Sequence, residues 1–164
     1  MSLCQLELFT HQPKETQAIG RYLGEMAEAG DIFLLTGALG SGKTCLTQGI
    51  AQGLGSLDTA RSPSFVIMRE LPGRLTLYHL DLFRLERLPE IEDLGLDDYL
   101  YGDGVAVVEW ADRGDDLLPP EHLLIEIEYQ GDNERRLCFQ ASGERYVKLL
   151  AQIGQHYRES GKQD

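Results

Sequence analysis

The octapeptide Gly37-Ala38-Leu39-Gly40-Ser41-Gly42-Lys43-Thr44 satisfies the pattern G-x-x-x-x-G-K-[ST] at every position. Each fixed position has a chemical reason. Glycines let the backbone turn tightly and aim successive N–H groups inward, which makes a nest for an anion. The helix expected to follow adds the positive end of its dipole, about half an elementary charge. Lys43 is expected to reach the β- and γ-phosphates, and the Thr44 hydroxyl to ligate Mg²⁺. Gly37 to Thr44, with Cys45 directly after it, is therefore the expected binding site for a nucleotide and its metal. A flexible glycine-rich turn alone would not explain Lys and Thr at these places.

Such a loop needs an acid at the end of a neighbouring strand to hold or orient the metal shell. Two are available. Glu109 ends the apolar run Val105-Ala106-Val107-Val108, and Asp81 ends Leu75–Leu80 within Tyr78-His79-Leu80-Asp81-Leu82-Phe83-Arg84. Glu109 is assigned to the metal shell and Asp81 to the attacking water or the γ-phosphate side. Lys43, Asp81 and Glu109 are thus the expected catalytic set. His79 precedes Asp81 by two residues, so on a strand both point to one face; a structural and a catalytic histidine are both open. Trp110, the one tryptophan, is read as core packing, with a partner or nucleotide contact as the other reading. Ser62-Pro63-Ser64-Phe65 lies where many phosphate-loop proteins carry a nucleotide-sensing loop.

The elements that must position these residues follow from periodicity. Pro13 suits a first helical position, and Ile19, Tyr22, Leu23 and Met26 recur at helical spacing. Ile32–Leu35 is a buried strand leading into the loop, and Leu46, Ile50 and Leu54 share one face of the next helix. Ser64–Leu71 and Leu75–Leu80, separated by Pro72-Gly73, form a β-hairpin. Short helical pieces are expected around Pro89–Leu94 and Asp97–Leu100. Val105–Glu109 is a further buried strand, and Leu123–Tyr129 with Arg135–Ala141 a second hairpin. Ser142 is expected to cap a last helix whose inner face carries Tyr146, Leu149, Leu150 and Ile153. Together these predict one α/β domain over residues 1–164: a three-layer phosphate-loop NTPase-like domain with a mixed parallel and antiparallel sheet and β-hairpins.

Composition narrows the partners. The chain has 164 residues and a net charge of −12, which argues against unaided grip on RNA or DNA. Glu86 to Asp116 carries eleven acids against Arg87 and Arg113, so −9 of that charge sits there. This is either a solvated face or a docking surface for a basic partner. No apolar run approaches the roughly 18 residues of a membrane span, and residues 1–20 lack a signal-peptide centre. Cys4, Cys45 and Cys138 are odd in number and without a CxxC pair, so they are read as small hydrophobes in a reducing cytoplasm, with no zinc site and no disulfide framework.

Guanine-specific GTPases need Asn/Thr-Lys-x-Asp, and here neither Asn133 nor any threonine is followed by lysine. A kinase lid needs arginines to exclude water over the phosphates, whereas the stretch available for one is the acidic segment. A small ATPase or ATP-driven switch remains. At this point Gly37–Thr44, Ser62-Pro63-Ser64-Phe65, His79-Leu80-Asp81-Leu82-Phe83-Arg84, Leu94-Gly95-Leu96-Asp97-Asp98-Tyr99 and Val107-Val108-Glu109-Trp110 resemble the ordered motifs of the bacterial TsaE (YjeE) ATPases. The resemblance spans roughly residues 13–130. It implies an ATPase that supports threonylcarbamoyladenosine (t6A) modification of tRNA beside a TsaD–TsaB complex, without itself transferring the group and meeting tRNA only indirectly. It also implies that Lys43 and Thr44 hold phosphate and Mg²⁺, that Glu109 and Asp81 are the key acids, and that adenine-side contacts come from near the N-terminus and a late basic residue, taken here as Thr10 and Arg135. Ser64 stands where the family commonly has Thr, and Phe83 where it often has Tyr. His79, Arg84 and Trp110 are carried over as partner or structural residues. A small-molecule kinase and a non-catalytic nucleotide-gated binding protein are the alternatives.

Overall fold

The computed structural model describes residues 4–38, 40–57, 68–82, 97–100, 102–113 and 118–161. In chain order the elements are β1 (Leu6–Thr10), α1 (Pro13–Met26), β2 (Ile32–Gly37), α2 (Lys43–Gly53), β3 (Met68–Leu71), β4 (Leu77–Asp81), α3 (Asp97–Leu100), β5 (Val105–Glu109), a 3-10 turn (Ala111–Arg113), β6 (His122–Tyr129), β7 (Arg135–Ser142) and α4 (Glu144–Gly161). Seven strands form one sheet in the order β1-β7-β6-β2-β5-β4-β3. The centre is parallel, β6 with β2, β2 with β5 and β5 with β4. Antiparallel hairpins flank it, β6 with β7 and β3 with β4. This is the mixed sheet that the apolar runs and turn signals predict. The first strand of the β3–β4 hairpin is described from Met68 onward; Ser64–Ile67, like Pro89–Leu94, lies outside the described residues.

Strand β2 is buried over Ile32–Leu35 because apolar groups meet it on both faces. Phe33 and Leu35 join Val105, Val107 and Ile125 in a core closed by Ile19 and Leu23 of α1, Leu46 and Ile50 of α2, and Leu149 and Ile153 of α4. Ile32 and Leu34 point the other way, toward Leu80, Ala106, Val108, Leu100 and Leu118. Pairing of β5 with both β2 and β4 then brings Leu35, Glu109 and Asp81 level at the same end of the sheet.

Helices α1 and α2 approach closely because glycines face each other. A methyl group on Gly49 would lie 2.1 Å from the Gln17 carbonyl oxygen, and one on Gly20 2.2 Å from that of Leu46. Gly24 and Gly53 meet the Ile50 and Arg21 carbonyls in the same way. Only separation of the helices could make room. Gly49→Ala is therefore expected to destabilise the fold by about 2 kcal/mol, since overpacking outweighs alanine's better helix propensity. Thermal melts should show Tm lowered by about 4–8 °C.

Three features depart from the sequence reading. Strand β1 has no counterpart in it: five residues with alternating burial give too weak a signal, and pairing with β7 fixes them. That pairing also brings together Cys4 and Cys138, 134 residues apart, with Cα atoms at 5.4 Å, and a disulfide joins them. The expectation that all three cysteines are unpaired small hydrophobes is thus corrected; Cys45 alone is free. Ser142 belongs to β7, opposite His122, and Gly143 at φ +106° provides the carbonyl that accepts from the Tyr146 and Val147 amides at the start of α4.

Tyr146 of α4 ties the helix to β2, its hydroxyl oxygen accepting from the Ile32 N–H at 2.9 Å. Burial pushes its pKa up to about 12 from the ordinary 10.0. Because the folded value is raised, the neutral phenol stabilises the fold fully below pH 10 and that stability is lost as pH rises toward 12, at about 1.4 kcal/mol per pH unit. In denaturant titrations, Tyr146→Phe should lose about 1 kcal/mol at neutral pH and show a shallower decline above pH 10.

Candidate functional site

The loop from Gly37 to Gly42 joins the end of β2 to the start of α2. Gly37, Gly40 and Gly42 have φ of +145°, +77° and +113°, a region side chains with a Cβ avoid. Space is limiting as well: a Cβ on Gly37 would stand 2.5 Å from the Ile127 carbonyl oxygen, and one on Gly40 2.7 Å from the Tyr129 hydroxyl. Helix α2 begins at Lys43 with Gly42 as its cap residue, so its first-turn amides face the loop's concavity, where an anion is favoured.

Lys43 reaches back over the loop. Its Nζ donates to the Gly37 and Ala38 carbonyls at 2.7 and 2.8 Å and lies 4.1 Å from the centre of the Trp110 ring. Burial pulls its pKa below the ordinary lysine value, opposed by the negative charges of Glu109, Asp81 and Asp112. Trp110 is the one described non-glycine residue at positive φ, +59°, a conformation that costs about 1–3 kcal/mol. It stands beside the phosphate loop rather than only in the core.

Glu109 is the hinge of the acidic side. It is 2% exposed, and its two carboxylate oxygens have different partners. One accepts from the Thr44 hydroxyl at 3.2 Å; the other makes a short hydrogen bond with His79 Nε2. His79 is fully buried, and its Nδ1 has no hydrogen-bond partner among the described residues. Its contact with Glu109 makes it a positioning group, which favours the structural reading of this histidine. Asp81 lies on β4 directly beside Glu109 and is 8% exposed, so the two acids named from sequence do stand together at the loop.

A cavity of about 200 Å³ opens next to the loop, lined by Pro13, Thr16, Gly40, Gly42, Cys45, Asn133 and Arg135. Arg135 donates from Nε to the Ser41 carbonyl at 2.8 Å and through Nη1 to the Gly131, Asp132 and Glu134 carbonyls, so it fastens the β6–β7 turn to the loop. Thr10 is buried, bonded through its hydroxyl to Thr16 at 2.8 Å, and reaches the cavity only through that neighbour. The Cys45 thiol donates to the Pro13 carbonyl, and burial pushes its pKa up. Pro13, Thr16 and Asn133 have no motif that marks them; the β1–β7 pairing and the glycine contact of α1 with α2 bring them here. Leu39, Ser62, Pro63, Ser64, Phe65 and Arg84 lie outside the described residues.

The residues present fit a phosphate group and a hard divalent cation. Ser41 Oγ is buried at the loop with no hydrogen-bond partner among the described residues, the glycine cradle leaves no room for a Cβ, and Thr44 and Glu109 offer the oxygen donors that Mg²⁺ takes.

Fold and site together define a phosphate-loop α/β domain. A family model described as "Threonylcarbamoyl adenosine biosynthesis protein TsaE" matches residues 10–137, and the chain belongs to that family, whose members take part in making threonylcarbamoyladenosine in tRNA. It is 45% identical over 153 residues to the tRNA threonylcarbamoyladenosine biosynthesis protein TsaE of Bacillus subtilis, covering 93% of this chain and 96% of the relative. The Treponema pallidum protein of the same name is 38% identical over 124 residues, 76% of this chain and 92% of that one. The crystal structure of Bacillus subtilis YdiB superposes with a TM-score of 0.82 at 39% identity, covering 95% of this chain and 99% of that one.

Proposed function

We propose that this protein is a Mg²⁺-dependent ATPase, with ATP and Mg²⁺ as its ligands, and that it supports t6A modification of tRNA as an accessory to a TsaD–TsaB-type complex. The observation that carries this reading is the bond from the Thr44 hydroxyl, the loop's metal-side group, to the buried Glu109 carboxylate. It joins the phosphate-binding element to an acid that no anion-binding loop by itself requires. The acidic net charge fits a protein that meets tRNA through partners. No helix among the described residues is long and apolar enough to cross a membrane, and a cytoplasmic place fits work on tRNA.

In this reading the amides of the loop and of the first turn of α2 hold the β- and γ-phosphates. Lys43 exchanges two carbonyl oxygens for phosphate oxygens and neutralises the charge that develops on them. Thr44 and Glu109 hold the metal shell, and His79 fixes the Glu109 carboxylate. Mg²⁺ held by Thr44 and Glu109 would supply Lewis-acid withdrawal of charge from the phosphate. Asp81 orients the attacking water. Arg135 and the β6–β7 turn close the side of the cleft toward the base.

The test is Mg²⁺-dependent ATP hydrolysis with and without purified TsaD–TsaB-type proteins. Turnover that is slow alone and rises with the partners supports the reading. Hydrolysis indifferent to the partners, or dependent on a hydroxylated metabolite, overturns it in favour of an independent ATPase or a kinase. Partner affinity that follows nucleotide occupancy without any hydrolysis would leave a nucleotide-gated binding protein.

A further inference from the structure

Helices α1, α2 and α4 pack on one face of the sheet. On the other face, alternation along β6 presents Leu124, Glu126 and Glu128, all partly exposed. Two hollows of about 410 and 540 Å³ lie there, and they share Thr36 and Asp112. They therefore form one groove. One end, beside Gly37 and Ala38 of the phosphate loop, is lined by Asp112, Glu126 and Glu128; the other is largely apolar, with Leu124 and Pro119 beside His122 and the shared Thr36 and Asp112.

Among the described residues, the groove's carboxylates share their cations with other acids: Lys43 acts on Asp112 but also on Glu109 and Asp81. Arg136 Nη1 reaches Glu128 at 3.1 Å, but its Nε is taken by Glu7 at 2.6 Å. The Glu126 pKa is raised, first by hydrogen bonding with Glu128, then by burial and by the charge of Glu128, with Arg136 only opposing this. Two carboxylates crowded in this way gain from an added cation. The mixed lining also selects for a particular chemistry: a Lys or Arg side chain over the acidic end, followed by an apolar side chain over Leu124 and Pro119.

We infer that this groove docks a basic, partly apolar protein segment, which places its cation against Asp112, Glu126 and Glu128 beside the phosphate loop. The inference rests on the accessory role proposed above and assigns that segment to the TsaD–TsaB-type complex. Its position gives docking a route to the nucleotide site, since Gly37 and Ala38 line the groove and also hold Lys43.

The test measures binding of the full chain to the purified complex by calorimetry, at low and high salt. Glu126→Lys should weaken binding at least tenfold and Glu126→Gln less. Wild-type affinity should fall with salt and the lysine variant's hardly at all. ATP affinity and Tm of both variants should stay close to wild type, which shows that the site and fold survive. If wild type binds the complex and Glu126→Lys binds equally well, the groove assignment falls and the accessory role stands. If wild type does not bind the complex, both fall. Tighter binding of tRNA by Glu126→Lys together with unchanged binding to the complex, or loss only of self-association in that variant, would also overturn the assignment, in favour of an anionic occupant or a second copy.

Discussion

Replacing Lys43 with alanine is expected to lower ATP turnover by about 10²–10³-fold or more. The reason lies in the geometry around its ammonium. Lys43 is 4% exposed, within a shell of two loop carbonyls and an indole face, so its charge acts through little water and is worth more than at a surface. The loss should fall on kcat, because the amides and helix dipole that bind ground-state phosphate remain in place. Lys43→Ala should keep a Tm near that of wild type, since removing a partly desolvated cation offsets the two lost hydrogen bonds. Single-turnover hydrolysis and nucleotide binding, measured side by side, check this. Turnover retained in the variant would show that the phosphate loop does not carry the chemistry.

Glu109→Gln should raise the Mg²⁺ concentration for half-maximal activity by about 10–100-fold, the range for groups that orient a metal's ligands. The glutamine amide keeps the size of the side chain and its oxygen can still accept from Thr44, while its NH2 group replaces the oxygen that faces His79. Nucleotide affinity without metal should change by no more than about threefold, because the loop amides are untouched. Asp81→Asn should instead lower kcat with little change in Mg²⁺ dependence, in keeping with a group that orients water. The reverse pattern would exchange the roles of the two acids. The two acids differ in place: Glu109 bonds to Thr44, whereas Asp81 stands one strand further out.

Much of this arrangement is legible along the chain because it is built from short-range rules. The loop's glycines are set by local φ and by the close approach of backbone, and Lys43 and Thr44 follow at fixed spacing. The apolar run Val105–Val108 ending in Glu109 is a buried strand that must surface at an acid. Helix α1 starts at Pro13 and β2 at Ile32, as their patterns require. Even so, α1 and α2 carry a feature that their amphipathic faces hide. Gly20, Gly24, Gly49 and Gly53 look like weak helix residues until the two helices are seen to touch through them.

The sequence by itself determined the phosphate loop, the two strand-end acids, the central strands and helices, and the family to which the chain belongs, since all of these are written within a few residues or in ordered motifs. Tertiary structure decided what depends on pairing between distant segments. Docking of β1 on β7 joins Cys4 to Cys138 and carries Thr10, and with it Thr16, toward the cleft. The short bond of His79 to Glu109 needs β4 and β5 side by side in parallel register. Arg135 gains its place against Ser41 only when the β6–β7 hairpin folds beside β2. Period and composition encode which face a residue turns inward; they carry no record of which strand will lie next to it, because that is settled by the packing of the whole sheet against its helices.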